Sequence, residues 1–194
     1  MTIILDNGHG NTTPGKRSPV WKDGTQLFEW EFTRDVVRRI SRKLDVLSID
    51  NTIIVPEIDD VSLSERVERT NVICNKVGVK NCLFISVHAN AGGGTGWEAF
   101  TTKGQTNSDK FCTILYEEAE NKWGKKWKIR KDSSDGDPDK EADYTVIKGA
   151  ACPAVLVENF FMDTEIDCKY INSEIGREEC ADVVVSAVQR WVTR

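Results

Sequence analysis

Histidine is scarce in this chain: His9 and His88 are the only two among 194 residues. No apolar run approaches the roughly 18 residues that a membrane-spanning helix needs, so membrane insertion is not expected. The net charge of −5 gives no electrostatic reason to expect nucleic acid as a partner. The absence of a G-x-S-x-G motif disfavours a serine hydrolase, and the absence of a C-x-x-C pair disfavours a structural zinc ribbon.

The six cysteines are scattered, at positions 74, 82, 112, 152, 168 and 180. Several lie in or beside apolar runs, where cysteine behaves as a small core residue. A chain of this length does not need disulfides for stability. We therefore predict six free thiols.

Strand-like and helix-like patterns alternate along the chain. Short apolar segments predict strands at residues 2–6, 52–55, 82–88, 97–102 and 155–158. Helical spacing predicts helices at residues 27–47, 62–76, 107–122 and 174–192, the second opened by a Ser62/Glu65 capping box. The length fits one domain over residues 1–194. The alternation predicts a three-layer α/β fold with a mostly parallel sheet.

Both histidines follow apolar, strand-like stretches, and Glu158 ends a third such stretch. In open α/β sheets, functional groups gather at the carboxyl ends of the strands, so we expect these three side chains at one sheet edge. Neutral imidazole is a preferred zinc ligand. Two half-buried structural histidines and a buried salt bridge at Glu158 are the alternatives.

A catalytic zinc site uses three protein ligands, so two histidines need a carboxylate partner. Glu29 and Glu31 both lie near the start of the first predicted helix. At about 100° per residue, Glu29 lies about 20° from Val36 on the apolar stripe, whereas Glu31 lies about 140° away. A carboxylate on a buried stripe is costly unless it is paired or binds metal, which favours Glu29. The alternative is that Glu29 only interacts with the helix dipole.

Five segments occur in a characteristic order: Asp6-Asn-Gly-His-Gly10, Glu29 leading a helix, Leu63-Ser-Glu-Arg66 with Asn71, Ile85-Ser-Val-His-Ala-Asn90, and Val155-Leu-Val-Glu158. Together they resemble the zinc-dependent N-acetylmuramoyl-L-alanine amidases, the type-3 amidase family of cell-wall hydrolases. The resemblance extends from Ile3 to about Trp191.

The resemblance implies Zn²⁺ held by His9, Glu29 and His88, with Glu158 as the catalytic carboxylate. It also implies a single domain with a twisted sheet of about six strands flanked by helices. The implied substrate is peptidoglycan, both glycan strand and stem peptide, cleaved between N-acetylmuramic acid and L-alanine. We expect a monomer that acts at the cell wall, in the periplasm or outside the cell.

The chain departs from the family pattern in its loops. Asn7 stands where proline is usual, Asn11 replaces a second glycine, and Asn159-Phe160-Phe161 replaces a common Thr/Gly-Gly-Phe stretch. Connections around the second histidine are short, so we expect an open cleft without the blocking helix of regulated family members. The alternatives are another zinc hydrolase of related fold, such as a carboxypeptidase or deacetylase, and a non-catalytic wall-binding module.

The apolar stretch at Thr2 has no basic segment before it, so no signal peptide is evident. We expect either a phage-type lysin released by a partner pore or an exported enzyme trimmed of its leader. Residues 122–131 combine basic residues with two tryptophans. This segment suits a helix end with packing tryptophans, and contact with the wall polymer is the alternative. The acidic run 132–143 is expected to be a solvated loop.

Overall fold

Six strands form one sheet in the computed structural model, which describes residues 1–194. The strands are β1 (Thr2–Asn7), β2 (Asn51–Ile53), β3 (Cys82–Asn90), β4 (Glu98–Thr101), β5 (Lys140–Glu141) and β6 (Ala154–Phe161). Their order is β2-β1-β3-β6-β4-β5, and β4 pairs antiparallel with β6 while the other pairs are parallel. The predicted mostly parallel sheet of about six strands is confirmed.

Six helices flank the sheet: α1 (Glu29–Val46), α2 (Leu63–Val77), α3 (Asn107–Trp123), α4 (Thr145–Gly149), α5 (Glu165–Asn172) and α6 (Glu174–Val192). The four predicted helices correspond to α1, α2, α3 and α6. The shorter α4 and α5, like β5, were not predicted. None of the helices combines the length and apolar character needed to cross a bilayer.

The starts of α2 and α3 show how side chains fix helix boundaries. Ser62 Oγ accepts a hydrogen bond from the Glu65 backbone N–H at the start of α2. The Glu65 carboxylate pairs with Arg69 instead of returning to Ser62, so only half of the predicted capping box forms. A complete box, Thr106 with Asp109, opens α3, where the sequence analysis did not predict one.

Alternation along the strands divides the core between the two faces of the sheet. One face carries a cluster of 34 buried residues, including Leu83, Ile85 and Val87 of β3, beneath α1, α3 and α6. The other face carries only 11, including Phe84, beneath α2 and α4. Towards the carboxyl ends of the strands, this less covered face becomes polar. His88 lies there, two pleats beyond Phe84.

Three smaller expectations can be compared with the structure. All six cysteines are free, as predicted, and all six are buried. Within 122–131, Trp123 is buried and Trp127 packs on Phe160, which fits the helix-end interpretation. The expectation of a wholly solvated acidic loop is wrong, because Asp139 is only 2% exposed and Lys140–Glu141 forms the edge strand β5.

Candidate active site

His9, Glu29 and His88 converge although they come from three separate segments. One potential ligand atom from each lies within 4.8 Å of the others. Glu29 Oε1 is 3.2 Å from His88 Nδ1 and 3.5 Å from His9 Nε2. The two imidazole rings meet edge to face, with centroids 4.9 Å apart. The structure thus brings together all three residues that the sequence pointed to as metal ligands.

Helix periodicity predicted that Glu29 is buried and that Glu31 is exposed, and the structure shows this difference in burial. Glu29 is 1% exposed, while Glu31, two residues later, faces solvent. The Ala89 backbone N–H donates to Glu29 Oε1, which fixes the carboxylate at the end of β3. The other oxygen, Oε2, is buried with no hydrogen-bond partner, and its nearest cation is Lys16 Nζ at 3.9 Å. A buried carboxylate oxygen left unpaired is costly, so this oxygen is suited to an additional positive ligand.

The protonation states of His9 and Glu29 also suit a metal, whereas for His88 burial is outweighed by the Glu29 hydrogen bond and nearby carboxylates, which raise the pKa. Burial lowers the pKa of His9 to about 4, so its imidazole is neutral at neutral pH and has a lone pair to donate. Burial alone would raise the pKa of Glu29, but the His88 hydrogen bond and nearby positive charges outweigh it, and the pKa is lowered. Two imidazoles and one carboxylate form a three-ligand set of the kind that catalytic zinc uses. The residues therefore fit a zinc ion.

The backbone at His9 is held in an uncommon conformation. His9 has φ 63°, in the left-handed region that favours glycine. Its carbonyl oxygen accepts a hydrogen bond from Arg34 Nη1 at 2.8 Å. The Thr33 hydroxyl donates to the Gly8 carbonyl at 2.9 Å. Strained conformations persist only when surrounding contacts fix them, and here α1 supplies those contacts next to Glu29.

A buried ion pair supports the loop from its other side. Arg66 of α2 donates to Asp6 Oδ1 at 2.5 Å, and the two side chains are 2% and 1% exposed. The Ser86 hydroxyl donates to the other Asp6 oxygen at 2.6 Å. The sequence analysis quoted both Asp6 and Arg66 within motifs but did not pair them. Their separation of 60 positions leaves no periodic signal from which the pairing could be recognised.

Glu158 lies beside His88 at the carboxyl end of β6. The two residues are register partners in the parallel β3–β6 pair, so their side chains leave the same face of the sheet. Glu158 Oε2 is buried without a hydrogen-bond partner. The pKa of Glu158 is raised to about 7, mainly by burial; the charge of His88 opposes the shift and the nearby Glu29 carboxylate adds to it. A carboxyl group with such a pKa can both accept and release a proton near neutral pH.

One departure from the family pattern lies at an irregularity directly after Glu158. The β3–β6 register shifts between His88 and Asn90, and Phe160 has φ 62°. This is the position at which the resemblance leads one to expect glycine, which adopts positive φ without steric cost. The Asn159 amide donates to the His88 carbonyl oxygen at 3.1 Å, which ties the bulge to β3.

Aromatic packing holds Phe160 in this conformation. Its ring lies 5.2 Å from Trp123, 5.1 Å from Trp127 and 5.0 Å from Tyr170, all in edge-to-face arrangements. Such pairs stabilise by about 0.5–1.5 kcal/mol each beyond the burial of their area. Their sum offsets the roughly 1–2 kcal/mol that a left-handed conformation costs a residue with a side chain.

Comparisons with known proteins agree with this geometry. Residues 3–190 match the family model described as N-acetylmuramoyl-L-alanine amidase. Among curated proteins, the chain is similar to N-acetylmuramoyl-L-alanine amidase AmiC of Neisseria meningitidis serogroup B, at 25% identity over 98% of this chain and 52% of AmiC. It is also similar to the endolysin of Bacillus phage SPP1, at 28% identity over 93% of this chain and 62% of the endolysin. The chain thus spans about half to three fifths of the length of these relatives.

Solved structures show the same fold. The amidase AmiC2 of Nostoc punctiforme superposes with a TM-score of 0.81 at 19% identity, covering 100% of this chain and 98% of that one. An N-acetylmuramoyl-L-alanine amidase from Clostridium difficile 630 superposes with a TM-score of 0.78 at 21% identity, covering 99% and 96%. Because the family model covers nearly the whole chain, this protein belongs to the N-acetylmuramoyl-L-alanine amidase family.

Proposed function

We propose that this protein is a zinc-dependent peptidoglycan hydrolase that cleaves the amide between N-acetylmuramic acid and the L-alanine of the stem peptide. The observation that carries the proposal is the convergence of His9, Glu29 and His88 within 4.8 Å, next to the half-buried Glu158. The family match over residues 3–190 supports the choice of substrate. Residues 1–194 act as a single catalytic domain.

His9, Glu29 and His88 would hold the zinc ion. When bound, zinc supplies Lewis acidity, which makes water a stronger nucleophile and stabilises negative charge on a carbonyl oxygen. The hydrogen bond from the Ala89 N–H holds the Glu29 carboxylate in its position beside the two histidines, so the ligand set is preorganised. The backbone contacts from Arg34 and Thr33 keep His9 in place while substrate binds.

Glu158 is the general base and general acid. Its carboxylate takes a proton from the attacking water as the new C–O bond forms at the amide carbonyl carbon. The protonated carboxyl then gives that proton to the amide nitrogen as the C–N bond breaks. An amide nitrogen leaves poorly until it is protonated, so one group with a pKa near 7 can serve both steps.

The partner is peptidoglycan, and the protein acts at the cell wall, in the periplasm or outside the cell, as a monomer. The short connection between β3 and β4, residues 91–97, supports an open cleft. The alignment with AmiC extends over 233 positions, more than this chain contains, so AmiC carries insertions that this chain does not. Turnover by the purified protein without any activating partner is the expected consequence.

The test is digestion of purified sacculi with and without a chelator, followed by mass analysis of the released peptides. An amidase frees intact stem peptides with an L-alanine amino terminus and leaves the lactyl carboxyl on the glycan. Release of single D-amino acids would identify a carboxypeptidase, and release of acetate would identify a deacetylase. Either result, or activity that survives complete removal of zinc, contradicts the proposal.

Two variants separate metal binding from proton transfer. Glu158→Gln should retain stoichiometric zinc and lose at least about 100-fold in turnover, because general acid–base catalysis contributes about 10²–10⁴-fold. His88→Ala should lose both zinc and turnover. Glu165→Gln, at an exposed carboxylate of α5, is the matched control and should retain both. Wild-type turnover by Glu158→Gln would end the assignment of Glu158.

A further inference from the structure

A second buried carboxylate lies next to Glu158. Glu98 of β4 is the direct cross-strand partner of Glu158 in the antiparallel β4–β6 pair, and it is 4% exposed. Directly opposed residues point to the same face, with Cβ atoms about 4.5–5.5 Å apart. His88, Glu158 and Glu98 therefore form one row across β3, β6 and β4, and the sequence analysis did not single out Glu98. The sequence did contain a signal for Glu98: it is a carboxylate within the predicted strand 97–102, whose other residues are mostly apolar or small.

Glu98 holds two cations at the edge of the site. Arg130 Nε and Lys140 Nζ each lie 2.7 Å from Glu98 Oε2, and Asn90 Nδ2 donates to Oε1 at 2.5 Å. Two cations and two carboxylates, Glu98 and Glu158, therefore lie together in this part of the site. The Arg130 and Lys140 side chains are each 28% exposed, so both can reach a molecule in the cleft.

Arg130 has unused hydrogen-bonding capacity, unlike the other arginines around the site. Only its Nε is bonded to protein, while its guanidinium plane lies over the Phe161 ring at 5.1 Å. Arg34 and Arg66, in contrast, donate through both terminal nitrogens to backbone carbonyls and carboxylates. The two free Nη groups of Arg130 form the fork that binds a carboxylate in bidentate fashion.

We propose that Arg130 and Lys140 form a subsite for the free carboxylate of the second residue of the stem peptide, a D-isoglutamate. The inference rests on the proposed function. Within the substrate, the glycan strand is uncharged and the lactyl carboxyl is consumed in the scissile amide. An anion subsite in this cleft must therefore take a carboxylate of the peptide.

The second residue is the nearest one to the scissile amide that can carry a free carboxylate, because the carboxyl group of the L-alanine is consumed in the peptide bond. An extended chain advances about 3.3–3.6 Å per residue, so the carboxyl carbon of the second residue lies about 6 Å from the scissile nitrogen. Glu158 must reach that nitrogen to protonate it. Glu98 lies directly opposite Glu158, with Cβ atoms about 4.5–5.5 Å apart, and both cations lie one hydrogen bond from Glu98.

The test compares N-acetylmuramoyl-L-alanyl-D-isoglutamate with the same compound carrying D-isoglutamine, whose amide has no charge. For the wild type we expect a lower KM for the acid. Arg130→Gln should raise that KM about tenfold or more, with little change in kcat or in KM for the amide, because a charge-assisted hydrogen bond is lost. Lys140→Gln should act in the same direction. Arg130→Lys, which retains the charge but not the fork, should be intermediate.

Lys131→Gln is the matched control, because Lys131 neighbours Arg130 and pairs only with surface Glu120. Calorimetric binding of the dipeptide L-alanyl-D-isoglutamate and of its isoglutamine analogue gives a readout independent of turnover. Loss of the preference for the acid in Arg130→Gln supports the subsite, even if neither muramyl compound is cleaved and the proposed function fails. Cleavage of both compounds with equal KM values in wild type and variants, or equal binding of both dipeptides, overturns the subsite and leaves the proposed function standing.

Discussion

Gly8 and His88 are in direct contact where β1 passes into the first loop. A Cβ atom at position 8 would lie 2.2 Å from Cε1 of the His88 ring. The Gly8 N–H donates to the Val87 carbonyl at 3.0 Å, so the backbone at this point cannot move away from β3. The glycine before His9 therefore determines where the other histidine can stand.

Gly8→Ala should displace the His88 ring and weaken zinc binding without unfolding the protein. Metal–ligand distances tolerate only about 0.2 Å, and disturbing the support of a ligating histidine typically lowers affinity about 10–100-fold. Competitive titration with a chelating dye measures the change. Gly149→Ala is the control, since its Cβ would crowd only the Val67 side chain, at 2.8 Å. Unchanged zinc affinity in Gly8→Ala would show that His88 relaxes freely.

Arg66→Met should destabilise the fold by about 3–5 kcal/mol, because it leaves the Asp6 charge buried and unpaired. Arg69→Met, one turn later on α2, removes an arginine that is 29% exposed and pairs with exposed carboxylates. That control should cost about 1 kcal/mol or less. Urea unfolding at neutral pH distinguishes the two variants. Similar losses in both would mean that the buried Asp6–Arg66 pair is no more stabilising than the surface pairs.

Long periodic patterns in the sequence predicted most of the fold, and helix phase selected Glu29 over Glu31. Short elements were missed for a physical reason. β5 has two residues and α4 has five, too few for periodicity to emerge, and both are held by tertiary contacts. The pairing of Glu98 with Arg130 was also missed. It depends on the bridge between Trp97 and Ile129, two segments that helix α3 separates in the sequence. Local patterns report which face is buried, whereas pairings between distant charges depend on the completed sheet.

Phe160→Gly tests whether aromatic packing outweighs backbone strain in the bulge after Glu158. Truncating a buried phenylalanine costs about 3–5 kcal/mol, and relief of the left-handed conformation returns about 1–2 kcal/mol. We expect a net loss of about 1–4 kcal/mol in the free energy of unfolding. Phe111→Ala, at a buried phenylalanine of α3 with no positive φ, should lose the full amount. A Phe160→Gly protein at least as stable as the wild type would mean that the free-energy cost of the strained backbone equals or exceeds the stabilisation from aromatic packing.

Asp139 should make stability fall as pH rises from about 4 to about 7. Burial raises its pKa from 3.8 to about 7, with the adjacent Asp137 carboxylate adding to the shift and the Thr101 hydroxyl opposing it. The folded state therefore binds this proton more tightly than the unfolded chain does. The resulting stabilisation is complete below about pH 4 and is lost as pH approaches and passes 7.

Asp139→Asn imitates the protonated form at every pH and can still accept the hydrogen bond from Thr101. Thermal unfolding should give nearly equal Tm values for this variant and the wild type below about pH 4, and a Tm for the variant that exceeds the wild-type value by an increasing amount up to about pH 7. Asp143→Asn is the control, because Asp143 is exposed, pairs with Lys148 and has a lowered pKa. Its Tm should not exceed that of the wild type at pH 8. Parallel Tm curves for wild type and Asp139→Asn across this range would show that Asp139 is already ionised in the folded protein at pH 5.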